Sequence, residues 1–170
     1  PEKSLESLMR SAHSIKGAAK LVNVEIAVKL AHVMEDCFVA AQQNKIKLQT
    51  DHIDVFIKSI DFLKSIGKMT ASQIEEPSVD TLNSLKTLTS DLDAIIHAQQ
   101  PAGASAANTH TPPVVTIKFE IPGKIDAVML DLFRTELEHN IRILSDSLLT
   151  LGDNPGNVKL LENMMRASHS

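Results

Sequence analysis

The chain has 170 residues, of which 17 are Lys or Arg and 21 are Asp or Glu, so its net charge is −4. This balance offers no strongly basic surface, which excludes an electrostatic footprint for nucleic acid. Apolar residues make up 43%, but aromatics only 3%, with no Trp or Tyr. Because strands are enriched in aromatic and β-branched side chains, this composition favours an all-α fold.

The cysteine content bears on the compartment. Cys37 is the single cysteine of the chain, which excludes an internal disulfide and is typical of a reducing environment. No apolar run approaches the roughly 20 residues that cross a bilayer. We therefore expect a cytoplasmic segment that makes no membrane contact.

Four helices are predicted in the first hundred residues, because apolar residues recur there at spacings of three and four. A short oxygen-bearing side chain at Thr50 or Asp51 can accept the free amides of a first helical turn. The predicted helices run from Leu5 to Ala19, from about Glu25 to Gln42, from about Thr50 to near Gly67, and from Pro77-Ser78 through Ile96.

The second part of the chain has a different character. Residues 99–113 are rich in Ala, Pro, Gly, Ser and Thr without apolar periodicity, which indicates a linker. Val114 to Ile121 alternates apolar and polar residues and predicts a short strand. A long helix is expected from about Ile125 to Leu151, and a last one from near Asn157.

The start of the chain is repeated near its end. A shift of 156 residues aligns His13 with His169 and gives seven identities in fourteen positions. The repeat predicts a first helical domain at 1–98 that lacks its N-terminal helix, a linker at 99–124, and a truncated second domain at 125–170. We expect residues 125–151 to fill the groove left by the missing helix, within one chain or by swapping between two.

The segment around His13 combines features that suit phosphoryl transfer. Residues three and four apart are neighbours on a helix, so four residues lie on or beside the face that bears His13. Cations there lower the cost of the charge that a phosphoryl group brings. A glycine within a helix costs about 1 kcal/mol relative to Ala, and it lets a partner approach closely. These neighbours are Arg10, Lys16, Gly17 and Lys20.

A second histidine follows on the next predicted helix. His32 lies 19 residues after His13, with Glu35 one turn further on. If the two helices are antiparallel, His32 can approach His13 and Glu35 can orient His32. A carboxylate that holds one imidazole nitrogen fixes the tautomer and raises the basicity of a ring. This arrangement would make His13 a better nucleophile.

The segment Ala12-His13-Ser14-Ile15-Lys16-Gly17-Ala18-Ala19, together with His32 and Glu35, resembles the histidine phosphotransfer (HPt) domain of chemotaxis-type (CheA-like) histidine kinases. The resemblance covers about residues 2–97 and again about 125–170. It implies an antiparallel four-helix bundle with an additional helix, followed by a second, truncated HPt repeat. One position differs, because Ala18 stands where the family often has a second glycine.

The resemblance also implies roles and partners. His13 would accept phosphate from a kinase catalytic domain and pass it to an aspartate of a response-regulator receiver domain. Lys16 would contact the phosphoryl group, and His32 with Glu35 would tune His13. His169 would be a second phosphoacceptor, on the strength of the match between Arg166-Ala167-Ser168-His169-Ser170 and the first motif. Since no glycine-rich nucleotide loop is present, ATP and Mg²⁺ would belong to partner domains.

Two other functions remain open from the sequence. The module could be a docking scaffold for kinase or receiver domains that transfers no phosphate, and it would then bind equally well with His13→Gln. A zinc enzyme using His13, His32 and Glu35 is the third hypothesis. Lys16 argues against it, because an ammonium beside the site would repel a cation.

Overall fold

The computed structural model describes residues 2–98 and 125–151, and within those ranges every regular element is a helix. The all-α prediction is thereby confirmed. The elements are α1 (Glu2–Leu21), α2 (Glu25–Gln42), α3 (Thr50–Lys68), α4 (Ala71–Glu75), α5 (Val79–Ala98) and α6 (Ala127–Leu151).

The short α4 was not predicted. It has five residues, too few to show a periodic apolar pattern. A capping box defines its start, because Thr70 Oγ1 accepts from the Gln73 backbone N–H at 3.3 Å while Gln73 Oε1 accepts from the Thr70 backbone N–H at 2.9 Å. In the sequence, a Thr followed three residues later by a Gln was thus the local signal that could have predicted the start of α4.

Two asparagines reverse the chain after α1 and α2. Asn23 and Asn44 have positive φ angles of 59° and 57°, the left-handed conformation that asparagine tolerates better than most residues. Beyond them, the Val24 N–H donates to the Ala19 carbonyl and the Lys45 N–H donates to the Ala40 carbonyl, each at 2.9 Å. These bonds satisfy carbonyls at the ends of α1 and α2, and the first of them lies in the turn that brings α2 back along α1.

One apolar cluster holds the bundle together, and α6 belongs to it. The apolar face predicted for this helix is buried against α1 and α3. Residues 125–151 therefore pack on α1 and α3 of their own chain, one of the two arrangements expected. The buried apolar residues of α6 are Leu130, Phe133, Leu137, Ile141, Leu144 and Leu148.

Several predictions lie outside the described residues: the linker at 99–124, the strand at Val114 to Ile121, the helix from Asn157 and the role of His169. The assignment of 125–170 to a second repeat stays a prediction for the same reason.

Candidate functional site

Small residues bring α1 and α2 together at the level of the motif. Ala12 and Ala19 of α1 and Ala27 and Ala31 of α2 are at most 1% exposed. Because the distance between packed helices depends on the side chains at the contact, these alanines permit a close approach. His13 follows Ala12 directly and therefore lies on the outer side of the pair, where its side chain is 67% exposed.

A carboxylate from α2 links the two polar residues of the motif. Glu35 Oε1 lies 2.8 Å from His13 Nδ1, and Glu35 Oε2 lies 2.5 Å from Lys16 Nζ. The Glu35 side chain is only 15% exposed, and that of Lys16 is 26% exposed. The structure therefore brings together three of the predicted site residues, His13, Lys16 and Glu35.

The environment keeps Glu35 ionised. Burial alone raises the pKa of this carboxyl, but hydrogen bonding and charge from Lys16 and His13 lower it by more, so the pKa lies below its usual value. An ionised carboxylate can only accept hydrogen bonds, so the contact with Glu35 requires Nδ1 of His13 to carry the proton. In the neutral ring the free lone pair is then on Nε2, which faces away from Glu35.

The expected contact between Glu35 and His32 is not present, and this part of the prediction was wrong. His32 Nε2 lies 3.7 Å from Asp36 Oδ2, one turn along the same helix. Glu35 points across to α1, where its two oxygens contact His13 and Lys16. Residues 35 and 36 are neighbours in the chain, so they face directions about 100° apart on the helix. Whether His32 tunes His13 stays a prediction.

The remaining predicted residues surround His13 without contacting Glu35. Arg10 forms an ion pair with Glu6 on its own helix, and Lys20 is exposed. A Cβ atom added at Gly17 would meet nothing within 4 Å. Packing inside the described chain therefore gives no reason for this glycine. The roles of Arg10, Gly17 and Lys20 in phosphate or partner contact stay predictions.

Other chemistry finds little support in residues 2–98 and 125–151. No group of three or more His, Cys, Asp or Glu side chains there could hold a metal ion, so the zinc hypothesis has no ligand set. No helix of the described ranges is long and apolar enough to span a membrane. Cys37 is fully buried, which raises the pKa of its thiol to about 12, with Asp93 and Asp36 adding to the shift.

The fold and the His13 site define a helical phosphotransfer module, and comparison with known proteins agrees. The model of the Hpt domain family matches residues 1–98, more than half of the chain. The chain belongs to this family and is a histidine phosphotransfer module of a phosphorelay.

Curated relatives include a sensor histidine kinase and chemotaxis proteins. The chain is 32% identical over 93 residues to the sensor histidine kinase CheAY of Helicobacter pylori, covering 51% of this chain and 12% of that protein. It is 26% identical over 110 residues to the chemotaxis protein CheA of Rhizobium meliloti, covering 65% of this chain and 14% of the relative. The chain thus spans about an eighth of the length of these relatives. No solved structure matches it significantly.

Proposed function

We propose that His13 is the phosphoacceptor of this module, taking a phosphoryl group from a kinase domain and passing it to a receiver-domain aspartate. The observation that supports this best is the contact of the ionised Glu35 carboxylate with His13 Nδ1. It leaves Nε2 as the nucleophile on a ring whose side chain is two-thirds exposed.

The transfer has two steps. In the first, the Nε2 lone pair attacks the γ-phosphorus of ATP, an N–P bond forms, and the P–O bond to the leaving ADP breaks. The ring becomes cationic, and Glu35 stabilises that charge through Nδ1–H. In the second step, a receiver carboxylate attacks phosphorus, the N–P bond breaks, and its electron pair returns to Nε2.

Lys16 and the exposed cations have separate roles in this proposal. Lys16 holds Glu35 in place from the other side, and its ammonium also favours the incoming phosphoryl charge. Arg10 and Lys20 contribute positive charge on the helix surface near His13, and Gly17 leaves room for the partner's active site. His32, which lies beside Asp36, keeps the tuning role toward His13 that the family resemblance implies.

Partners and cofactors follow from this chemistry. The kinase catalytic domain and the receiver domain bind the module in turn, and the kinase supplies ATP and Mg²⁺. We place the module in the cytoplasm, the reducing compartment that suits its unpaired Cys37. His169 would be a second phosphoacceptor by its matching motif.

A helix-swapped dimer belongs to the same proposal. The 28 residues between α5 and α6 reach at most about 100 Å when extended. That reach permits α6 to dock on its own bundle or on that of a second copy. Sedimentation over a hundredfold concentration range would show a dimer that retains the helical content of the monomer; a constant monomer mass would exclude the swap.

Phosphorylation of His13 tests the central claim. The chain and His13→Gln are incubated with ATP, Mg²⁺ and a chemotaxis-type kinase core, and acid-labile phosphate is measured by intact mass. We expect label on the wild type and none on the variant. Label on both proteins would move the activity to His169. Absence of label from a folded wild type, with a kinase core that phosphorylates its own module, would favour the scaffold.

A further inference from the structure

A cavity of about 510 Å³ lies between α3 and α6, away from the helices that carry His13 and Glu35. Its size is in the range typical of small-molecule sites, about 300–1,000 Å³. The apolar part of its wall is formed by Leu137 and Ile141, which are at most 5% exposed. An apolar group can pack where these two side chains meet the aliphatic stems of Lys64 and Lys68, which also line the cavity.

Cationic side chains from both helices line the same cavity. Lys64 and Lys68 come from α3, and Arg134 and Arg142 come from α6. Two carboxylates, Glu138 and Asp146, also line it, while Asp61 and Asp131, outside the lining, pair with Lys64 and Arg134. Lys68 and Arg142 are exposed and form no ion pair within the described part of the chain.

Arg134 has a donor without an acceptor. Its guanidinium is fixed by a 2.6 Å hydrogen bond to the Met69 carbonyl and by a 3.0 Å bond to Asp131 Oδ1. Its Nε is buried and has no hydrogen-bond partner among the described residues. Since this atom has no exposed surface, a ligand in the cavity cannot reach it. The Arg134 side chain as a whole is 33% exposed and lines the cavity, so its terminal N–H groups can donate to an oxyanion there.

We propose that this cavity binds a small phosphate monoester with an apolar substituent. A phosphate monoester carries a charge of about −1.5 to −2 at pH 7, which matches the charge of Lys68 and Arg142, the two cations outside those ion pairs. Its oxygens accept from Arg134 and from the exposed ends of Lys68 and Arg142, while the substituent packs on Leu137 and Ile141. Since the ligand bridges α3 and α6, binding also holds α6 on the bundle.

The test uses phenyl phosphate as the probe, with inorganic phosphate and phenol as its two halves. Each is titrated to about 10 mM into the 170-residue chain, and backbone amide shifts are followed by NMR. We expect phenyl phosphate to bind more tightly than either half and to shift amides of α3 and α6. No saturable shift with phenyl phosphate would overturn the proposal. Equal binding by inorganic phosphate would reduce the site to a simple anion site and contradict the apolar contact.

Two variants separate this site from general surface charge. Lys68→Gln with Arg142→Gln removes two exposed cations and should weaken phenyl phosphate binding by about tenfold or more. Arg134→Lys keeps the charge but removes the guanidinium that Met69 and Asp131 hold in place, and it should weaken binding as well. Lys86→Gln, an exposed lysine of α5, is the matched control and should leave the affinity unchanged. Unchanged binding in both cavity variants would reject the site.

Discussion

Two histidine–carboxylate pairs lie on α1 and α2, and they differ in the carboxylate. His13 and His32 are similarly exposed, at 67% and 59%. Their partners are not, since the Glu35 side chain is 15% exposed and that of Asp36 is 55% exposed. The Glu35 contact is 2.8 Å and connects two helices, whereas the Asp36 contact is 3.7 Å and stays within one.

The comparison shows what makes one ring suited to chemistry. An exposed ion pair in water contributes little, because solvent and salt screen it. A carboxylate that is mostly buried and also held by Lys16 has a fixed position and stays ionised. His13 is therefore oriented by the fold, while His32 is oriented only by its own helix.

Replacing the carboxylate beside His13 is expected to have the largest effect on the phosphorylation rate. Glu35→Gln keeps a hydrogen-bond acceptor for Nδ1 but removes the charge that stabilises the cationic ring. We expect phosphorylation of His13 to slow about a hundredfold. Asp36→Asn, the matched change in the other pair, should stay within about twofold because that pair is exposed. Initial rates from a kinase core, measured by intact mass, compare the two, and equal effects would remove the distinction drawn here.

Lys16 is expected to have the next largest effect. Lys16→Gln removes the cation that holds Glu35 Oε2 and the charge beside the incoming phosphoryl group. A loss of about tenfold in the phosphorylation rate is expected, in line with a charge-assisted contact of about 1.5 kcal/mol. Lys3→Gln, an exposed lysine of the same helix, serves as the control. A normal rate for Lys16→Gln would show that Glu35 needs no second contact.

Gly17 tests whether the surface beside His13 is kept open for a partner. Gly17→Ala should stabilise the fold by up to about 1 kcal/mol, because alanine favours helix and the added Cβ meets no atom. It should also slow transfer a few-fold by crowding the partner. Gly67→Ala is the contrast, since its Cβ would lie 3.1 Å from Leu137 Cδ2. This tight contact should offset the gain in helix stability. Urea unfolding and transfer rates measure both; a stabilised Gly17→Ala with full transfer would contradict the docking role.

The smallest effect is the pH dependence of stability. The pKa of Glu35 is lower in the folded state than its usual value. The ionised carboxylate therefore stabilises the folded protein at any pH above that usual pKa. That contribution is lost as pH falls through the folded pKa. Wild type should therefore be more stable than Glu35→Gln at pH 7, and the difference should shrink in acid. Urea unfolding at neutral and acid pH measures this, and a constant difference would refute the linkage.

Much of the fold was readable from the chain because helices bury one face. The apolar spacing located α1, α2, α3, α5 and α6, whereas α4 was missed because five residues show no period. The cap of α3 was placed one residue late. Gln49 precedes the helix, and its backbone N–H donates to His52 Nδ1 at 3.2 Å. A local side-chain contact of this kind leaves no periodic signal.

The site was readable in part. Helical spacing placed Lys16 beside His13, whereas Glu35 was assigned to the same site as the companion of His32 and through the resemblance to the HPt family. The sequence could not tell which histidine Glu35 serves. That depended on the rotation of α2 against α1, which the alanine contacts and the turn at Asn23 set.

The sequence by itself determined the helices, their buried faces and the residue types around His13, since these depend on neighbours three and four positions away. Tertiary structure alone decided three things: the pairing of Glu35 with His13, the choice of α1 and α3 as the helices that α6 contacts, and the cationic cavity between α3 and α6. Each joins residues distant in the chain. Their meeting depends on how whole helices pack, which no local pattern encodes.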